Sequence, residues 1–176
     1  MTGVQTCALP ICLADSADAW VGSHGDKTRA LEIMKDPQAG PVAVILLVLV
    51  LLLKFSAIYS FILQEEVYLI IASPVIARCV PMVLFLTTPY VREQGLGSGM
   101  AEYLPRNLAW IVLGLVFVIC MFFLGVVQAV LLIVVAGGVL WYLRYLMVRC
   151  IGGMTGDTIG AAIEIIEVVV LIFLIF

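Results

Sequence analysis

The sequence predicts an all-α, polytopic membrane bundle of about five transmembrane helices, with cytoplasmic polar segments that carry the functional site. Of its 176 residues, 64% are hydrophobic and 12% are charged, and the mean hydropathy is +1.22. These values lie far outside the range of soluble globular domains. Long apolar runs alternate with short polar segments, as expected of helices that cross a bilayer. The net charge of −3 offers no basic patch, so no nucleic-acid partner is expected.

The first segment, residues 1–11, is not expected to contribute to the native fold. Its sequence, MTGVQTCALPI, has neither the charge nor the apolar run of a signal peptide. It resembles the translation of a sequencing-adapter read-through. We therefore expect a non-native segment at 1–11, followed by one membrane-embedded domain, residues 12–176, that is incomplete at its N-terminus.

The acidic segment at residues 13–22 carries Asp15 and Asp18 three positions apart. On a helix, these carboxylates lie on one face about a turn apart. They repel each other unless a proton or cation compensates, and Mg²⁺ prefers oxygen ligands. The pair is therefore a candidate Mg²⁺ site, and the alternative is an ordinary solvated helix face.

The remaining elements follow from apolar run lengths. Asp26 is a cap for a short helix over 27–34 that is too polar to span a membrane. Residues 41–63 and 67–88 form the first two spans, the former ~34 Å long. The run 108–143 would measure ~54 Å as one helix, so we predict two spans hinged near Gly125. Polar segments at 89–107 and 144–158 precede the third and fifth spans, and the fifth covers 159–176.

The basic residues predict the orientation of the bundle. The turns at 64–66 and near 125 contain no Lys or Arg. Because cytoplasmic loops are enriched in Lys and Arg, the segments at the other end of the spans are expected to face the cytoplasm. They carry seven such residues, namely Lys27, Arg29, Lys35, Arg92, Arg106, Arg144 and Arg149.

Two polar motifs on the predicted cytoplasmic side suit phosphate chemistry. Lys35 and Asp36, with Glu32, are either surface charges or a phosphate-balancing lysine beside acids that assist a metal. Arg92 in PYVREQGLG is either a topogenic charge or an oxyanion ligand. The second alternative rests on the bidentate guanidinium and on glycines that allow backbone amides to approach.

Charges also occur inside the predicted spans. Lys54 and Arg78 are costly in hydrocarbon, so we expect Lys54 to have a partner or a cavity and Arg78 to serve function or an internal salt bridge. In the run GGMTGDTIGAAIEIIE, Asp157 precedes a helix start, where amides and the helix dipole favour anions. Glu164 and Glu167 share one helix face and should point into the bundle.

Five motifs in this order resemble the cobalamin synthase family, the adenosylcobinamide-GDP ribazoletransferases. They are LADSADAWVG, LEIMKDPQAGP, LLLKF, PYVREQGLG and GGMTGDTIGA, and the resemblance covers residues 13–176. The family motif opens Asp-Gly-Leu-Ala-Asp, whereas Ile11-Cys12 replaces the Asp-Gly here and removes one metal-binding carboxylate. Ile163 stands where the family usually has Asn.

The resemblance implies a bacterial inner-membrane enzyme that joins adenosylcobinamide-GDP to α-ribazole or its 5′-phosphate and releases GMP. It implies Mg²⁺ at Asp15 and Asp18. The implied catalytic residues are Lys35, Asp36, Arg92 and Asp157, and the implied substrate contacts are Thr155, Gly156, Glu164 and Arg78. A homo-oligomer, or a complex with other cobalamin-assembly enzymes, is an open alternative. Family members have the Asp-Gly that is missing here and further spans before the acidic motif, and for both reasons we expect this chain as written to be inactive or nearly so.

Two other functions are alternatives to the ribazoletransferase. A CDP-alcohol phosphotransferase requires Asp-Gly-x₂-Ala-Arg and then G-x₃-D-x₃-D, but Asp15 follows Ala14, and Ala30 stands where the last Asp is needed. A small transporter would explain Lys54, Arg78 and the intramembrane glutamates Glu164 and Glu167. Against it, the polar residues cluster at one face and no inverted repeat is visible.

Overall fold

A computed structural model describes residues 9–36, 38–92 and 97–175. Within these ranges the chain contains no β-strand, only an isolated bridge between Tyr90 and Met154, so the all-α prediction is confirmed. Residues 1–8 of the adapter-like segment and residues 93–96 of the Arg92 loop lie outside the described ranges. The helices are α1 Leu9–Gly22, α2 Lys27–Ile33, α3 Pro41–Leu63, α4 Tyr68–Ala77, α5 Cys79–Thr87, α6 Ser98–Tyr103, α7 Arg106–Leu124, α8 Val126–Ile151 and α9 Gly156–Ile175.

Five helical segments in the described chain are long and apolar enough to cross a membrane, which confirms the predicted multi-pass architecture. The hinge predicted near Gly125 is also confirmed, because this residue separates α7 from α8 with φ 85°, a value that favours glycine. The predicted cap is confirmed too, since Thr28 N and Arg29 N donate to the Asp26 carboxylate at 2.9 and 3.3 Å. The spans are Pro41–Leu63, Tyr68–Thr87, Arg106–Leu124, Val126–Ile151 and Gly156–Ile175.

The apolar run 67–88 predicted that the second span is one continuous helix, and this prediction is wrong. It divides at Arg78 into α4 and α5. Pro81 has no N–H to donate to the carbonyl of Ala77, and a proline ring crowds the carbonyl four residues earlier. The interruption therefore places a turn, and the only basic residue of the span, within the membrane.

The polar segment predicted at 144–158 is wrong in its first half, because α8 continues to Ile151. Leu143, Met147 and Ile151 are buried at helical spacing, so the apolar stripe carries the helix past Arg144. Gly152, with φ 83°, ends α8 in the left-handed conformation. The fifth span starts at Gly156 rather than at 159, and the short helix α6 interrupts the connection predicted at 89–107.

The core is built around α9. In the most apolar stretch of α9, 61% of the residues are buried, whereas in that of α7 only 6% are. Helix α9 is therefore central and α7 peripheral. Helices α1, α3, α4, α5 and α8 all pack on α9. The crossing with α1 is close, because a Cβ atom on Gly160 would lie 2.7 Å from the Cβ of Cys12. Glycine at this position therefore sets the distance between the two helices.

Two loops meet at the end of the bundle where α9 begins. Val91 N donates to the Met154 carbonyl and Met154 N donates to the Pro89 carbonyl, both at 2.9 Å. A Cβ on Gly153 would lie 2.3 Å from the Pro89 oxygen, so only glycine permits this approach. The pairing fixes the residue after Val91, Arg92, beside the first turn of α9.

Candidate active site

The start of α9 is locked by its own side chains. Thr158 N donates to Thr155 Oγ1 at 3.3 Å, and Thr155 N donates to Thr158 Oγ1 at 2.9 Å. This reciprocal arrangement is a capping box with threonine in the place of the usual Glu or Gln. Thr155, expected to contact substrate, is fully buried and caps the helix. Gly156 is exposed, and its amide lies in the first turn, where helix N–H groups lack partners within the helix.

Asp157 lies in the first turn of α9 and faces the Arg92 loop. Arg92 Nη1 donates to Asp157 Oδ2 at 3.3 Å, and the two side chains are 32% and 16% exposed. The pair is partly shielded from water, so the interaction is less screened than a surface salt bridge. Two residues expected to act together are thus in contact.

Asp15 on α1 approaches this pair from the other side. Burial, followed by the nearby carboxylates of Asp157 and Asp18, raises the pKa of Asp15 to about 6. The packing predicted between residues 13–22 and the start of the last span is confirmed, because α1 packs along α9. Asp15 therefore lies between two other carboxylates, Asp18 on α1 and Asp157 on α9, and a proton or a cation would relieve their repulsion.

Asp18 has a structural task as well. Its carboxylate accepts hydrogen bonds from Gly40 N at 2.5 Å and from Ala43 N at 3.1 Å, so it caps the start of α3. A Cβ on Gly40 would lie 2.7 Å from Asp18 Oδ1, which makes glycine necessary there. Each carboxylate oxygen has a further lone pair, so the cap leaves acceptor capacity for a cation.

The donor set suits a hard cation but is incomplete. In the described ranges, no group of three or more His, Cys, Asp or Glu side chains has the geometry to hold a metal. Residue 11 lies on the same face of α1 as Asp15 and Asp18, at spacing i, i+4, i+7. Ile11, 54% exposed, therefore occupies the position from which an aspartate would complete a stripe of three carboxylates. Carboxylates of this kind fit Mg²⁺.

Lys35 and Asp36 stand apart from the Arg92–Asp157 pair. Both are exposed after α2, and Asp36 Oδ1 accepts a hydrogen bond from Gln38 N at 3.0 Å. Asp36 lines a cleft of about 270 Å³ that also contains Asp18. No hydrogen bond or ion pair within the described part of the chain joins Lys35 to Arg92 or Asp157.

The charges inside the spans form one network. Lys54 Nζ lies 2.7 Å from both Glu164 Oε1 and Glu167 Oε2, and Arg78 Nη1 donates to Glu167 Oε1. The expected partner for Lys54 and the internal salt bridge for Arg78 are both confirmed. Glu164 is 3% exposed and lies two helical turns, ~10 Å, beyond Asp157. The structure therefore places Glu164 and Arg78 in this network rather than beside the three aspartates.

Sequence reasoning missed a second polar face on α1. Ser16 Oγ, Trp20 Nε1 and Ser23 Oγ are buried without a hydrogen-bond partner in the described chain. Their spacing, i, i+4, i+7, puts them on one side of the segment, and that spacing was readable in the sequence. Buried polar atoms without partners are costly and rare, so these three atoms are the polar groups of this segment that its internal packing leaves unsatisfied.

Comparison with known proteins supports a single family. The model described as Cobalamin-5-phosphate synthase matches residues 12–175. The chain is 48% identical over 159 residues to adenosylcobinamide-GDP ribazoletransferase from Acinetobacter baumannii strain ACICU, which covers 90% of this chain and 64% of the relative. It is 50% identical over 160 residues to the Pseudomonas fluorescens Pf0-1 protein of the same name, covering 91% and 65%. The chain thus spans just under two thirds of these relatives' length. No solved structure matches.

Proposed function

Because the chain belongs to the cobalamin-5-phosphate synthase family, we propose that it is a membrane transferase of late cobalamin biosynthesis. It joins adenosylcobinamide-GDP to α-ribazole 5′-phosphate, or to α-ribazole, and releases GMP. The proposal includes a bacterial cytoplasmic membrane as the location, with the polar end of the bundle facing the cytoplasm. The bacterial relatives that carry the name of this activity support it.

The observation that carries the proposal is the position of Asp15 close to both Asp18 and Asp157, the latter paired with Arg92. In the proposed reaction, a ribazole hydroxyl forms a bond to the cobinamide-side phosphorus, and the bond from that phosphorus to the GMP oxygen breaks. Such phosphoryl transfers depend mainly on positioning and on neutralising charge at the phosphoryl oxygens. An acidic cluster with an arginine suits both tasks.

Each residue at the junction has a proposed role. Arg92 binds a phosphoryl oxygen, and Asp157 holds its guanidinium in place. The amide of Gly156 adds a donor at the positive end of α9. Asp15 and Asp18 would hold Mg²⁺, which when bound neutralises phosphate charge. Asp36 lines the cleft that contains Asp18, where it and the neighbouring Lys35 would meet the distal part of a substrate.

Of the residues that the resemblance implies as substrate contacts, only Gly156 lies exposed at the junction, and the other three have structural positions. Thr155 fixes the start of α9 and so positions Gly156 and Asp157. Glu164 and Arg78 position α9 against the broken span through Lys54 and Glu167. We propose that these three act on the reaction through Asp157 and the α9 amides.

The chain with Ile11 and Cys12 is proposed to be inactive or nearly so, since an aspartate is absent from the α1 stripe. The test compares it, in vesicles with Mg²⁺, adenosylcobinamide-GDP and α-ribazole 5′-phosphate, with the variant Ile11→Asp/Cys12→Gly. The measurement is GMP by liquid chromatography. We expect the variant to release more GMP than the parent, because the restored aspartate completes the α1 stripe.

No GMP from a folded variant that binds both substrates would contradict the proposal. The same vesicles separate the rival functions. Release of CMP from a CDP-alcohol would identify a phosphotransferase of that class, and uptake of a solute without bond cleavage would identify a transporter.

A further inference from the structure

The weakly packed helix α7 leaves a cavity in the membrane-spanning part of the bundle. It lies between α5, α7 and α8, has a volume of about 330 Å³, and is lined mainly by aliphatic and aromatic side chains such as Val83, Phe117 and Leu140. This volume falls within the range of small-ligand pockets. None of Asp15, Asp18, Arg92 or Asp157 lines it, so it is separate from the proposed active site.

The cavity is long and narrow. Its wall on α8 extends from Leu132 to Arg144, ~18 Å along the helix, and its wall on α5 extends from Cys79 to Thr87, ~12 Å. The space therefore has the length and the apolar lining that suit one extended hydrocarbon chain. A helix from a second copy is the other occupant that the test below distinguishes.

One end of the cavity is charged. Arg144 Nη2 donates to the Thr87 carbonyl at 2.7 Å, and Arg144 Nε donates to Thr88 Oγ1 at 3.1 Å. Its guanidinium carbon lies 5.4 Å from the centroid of the Trp141 ring. Nη1 has no hydrogen-bond partner among the described residues. The fixed guanidinium thus keeps donor capacity at the mouth of the cavity.

The surrounding side chains place this mouth at the membrane surface. Trp141, Tyr142 and Tyr145 are 70%, 58% and 51% exposed next to Arg144. Tryptophan and tyrosine collect at the headgroup level of membranes, and arginine near a span end reaches the same level. The apolar part of the cavity then extends from the headgroup level into the hydrocarbon.

We propose that this cavity binds one glycerophospholipid. An acyl chain lies between α5, α7 and α8, and the headgroup phosphate accepts hydrogen bonds from Arg144. Guanidinium is the side-chain group best matched to phosphate oxygens. The lipid fills the space that α7 leaves open and ties the α7–α8 hairpin to the core, independently of the transferase reaction.

Adjacent glycines provide a matched test. A Cβ on Gly137 or on Gly138 would meet no atom within 4 Å, yet only Gly137 lines the cavity. Gly137→Leu therefore fills the site, and Gly138→Leu makes the same change outside it. Both variants are inserted into vesicles of phosphatidylethanolamine and phosphatidylglycerol whose acyl chains carry a photoreactive diazirine. After irradiation, mass spectrometry counts the lipid adducts on peptides from α5, α7 and α8, and native mass spectrometry counts the lipids retained per chain.

We expect the parent and Gly138→Leu to retain one phospholipid and to form adducts on all three helices. Gly137→Leu should lower both signals roughly tenfold, since overpacking opposes the acyl chain. Arg144→Gln should lower retention and leave the adduct positions along the cavity unchanged. Equal lipid retention in Gly137→Leu and Gly138→Leu would overturn the proposal. Loss of chain–chain association in Gly137→Leu without loss of lipid would also overturn it, since a second copy would then be the occupant.

Discussion

Asp15 is partly buried, and its carboxylate is close to two others, Asp18 on its own helix and Asp157 on α9. Asp18 is engaged with the start of α3, and Asp157 with Arg92. Asp15 is therefore the residue whose charge costs most without a cation. Its neighbours and its raised pKa make it the most sensitive position at which to test metal binding.

The pH dependence of cation binding follows from the pKa of about 6 at Asp15. Below that pH the carboxyl carries a proton, which a divalent cation must displace, so the apparent Mg²⁺ affinity should fall as the pH is lowered through about 6. Isothermal titration from about pH 5 to about pH 8 measures it. Asp15→Asn should weaken binding and flatten this dependence, whereas Glu32→Gln, at an exposed acid on α2, should change neither. A parental pH profile in Asp15→Asn would exclude Asp15 from the site.

Asp15 and Asp18 should also differ in their effect on stability. In cation-free buffer near neutral pH, Asp15→Asn removes a desolvated, repelled charge and should raise the melting temperature. Asp18→Asn removes one carboxylate acceptor from the α3 cap and should lower stability by about 1 kcal/mol. Thermal unfolding followed by circular dichroism distinguishes them. If both variants shifted the melting temperature in the same direction, Asp18 would not differ from Asp15 in the way proposed, as a helix cap and an uncompensated charge.

At the scale of elements, the tie between the broken second span and α9 is made by charges. Glu164 is 3% exposed and its cation partner is Lys54, whereas Glu167 also has Arg78. Removing one member of a buried pair leaves an uncompensated charge, which costs far more than the pair contributes. The network therefore responds differently to single and double substitutions.

Lys54→Met should destabilise the bundle by about 3–5 kcal/mol, because Glu164 is left buried without its cation. Lys54→Met/Glu164→Gln should recover part of the loss, since the second change removes the stranded charge. Unfolding in a mixed-micelle denaturant titration measures both, and Lys35→Met at an exposed lysine is the control. A double variant less stable than Lys54→Met would show that the ion pair is not the source of the effect.

Much of this arrangement was predictable from run lengths and composition. The apolar runs and Gly125 predicted five spans, and charge bias predicted one polar end. The break at Arg78 escaped a hydropathy argument because Pro81 acts on backbone hydrogen bonding and leaves hydropathy unchanged. The extension of α8 past Arg144 was missed because two arginines suggested a loop, although Leu143, Met147 and Ile151 continue the helical stripe.

The partners of individual charges were less accessible to sequence reasoning. Nothing local indicates that Asp18 caps a helix that starts more than twenty residues later, since that contact exists only after α1 packs on α3. The same holds for the pairing of Lys54 with Glu164 across 110 positions. Both depend on the tertiary packing around α9.

In the molecule as a whole, α9 is the central helix, on which α1, α3, α4, α5 and α8 pack. Its buried length organises the spans, its first turn presents Asp157 and the Gly156 amide, and its middle holds the glutamates that pair with Lys54 and Arg78. The proposed chemistry takes place where α1 and the Arg92 loop reach this first turn. The lipid site shares no lining residue with the proposed active site, so the two proposals can fail separately.

We propose that phosphoryl transfer takes place at the α1–α9 junction, and the most direct test is the turnover of Asp15→Asn in the Ile11→Asp/Cys12→Gly background. A carboxylate that positions a cation at the reacting phosphate acts mainly in the transition state. Initial rates of GMP release should therefore show kcat lowered about 100-fold or more with KM little changed. Glu32→Gln in the same background should keep both values. An unchanged kcat in folded Asp15→Asn would contradict the account.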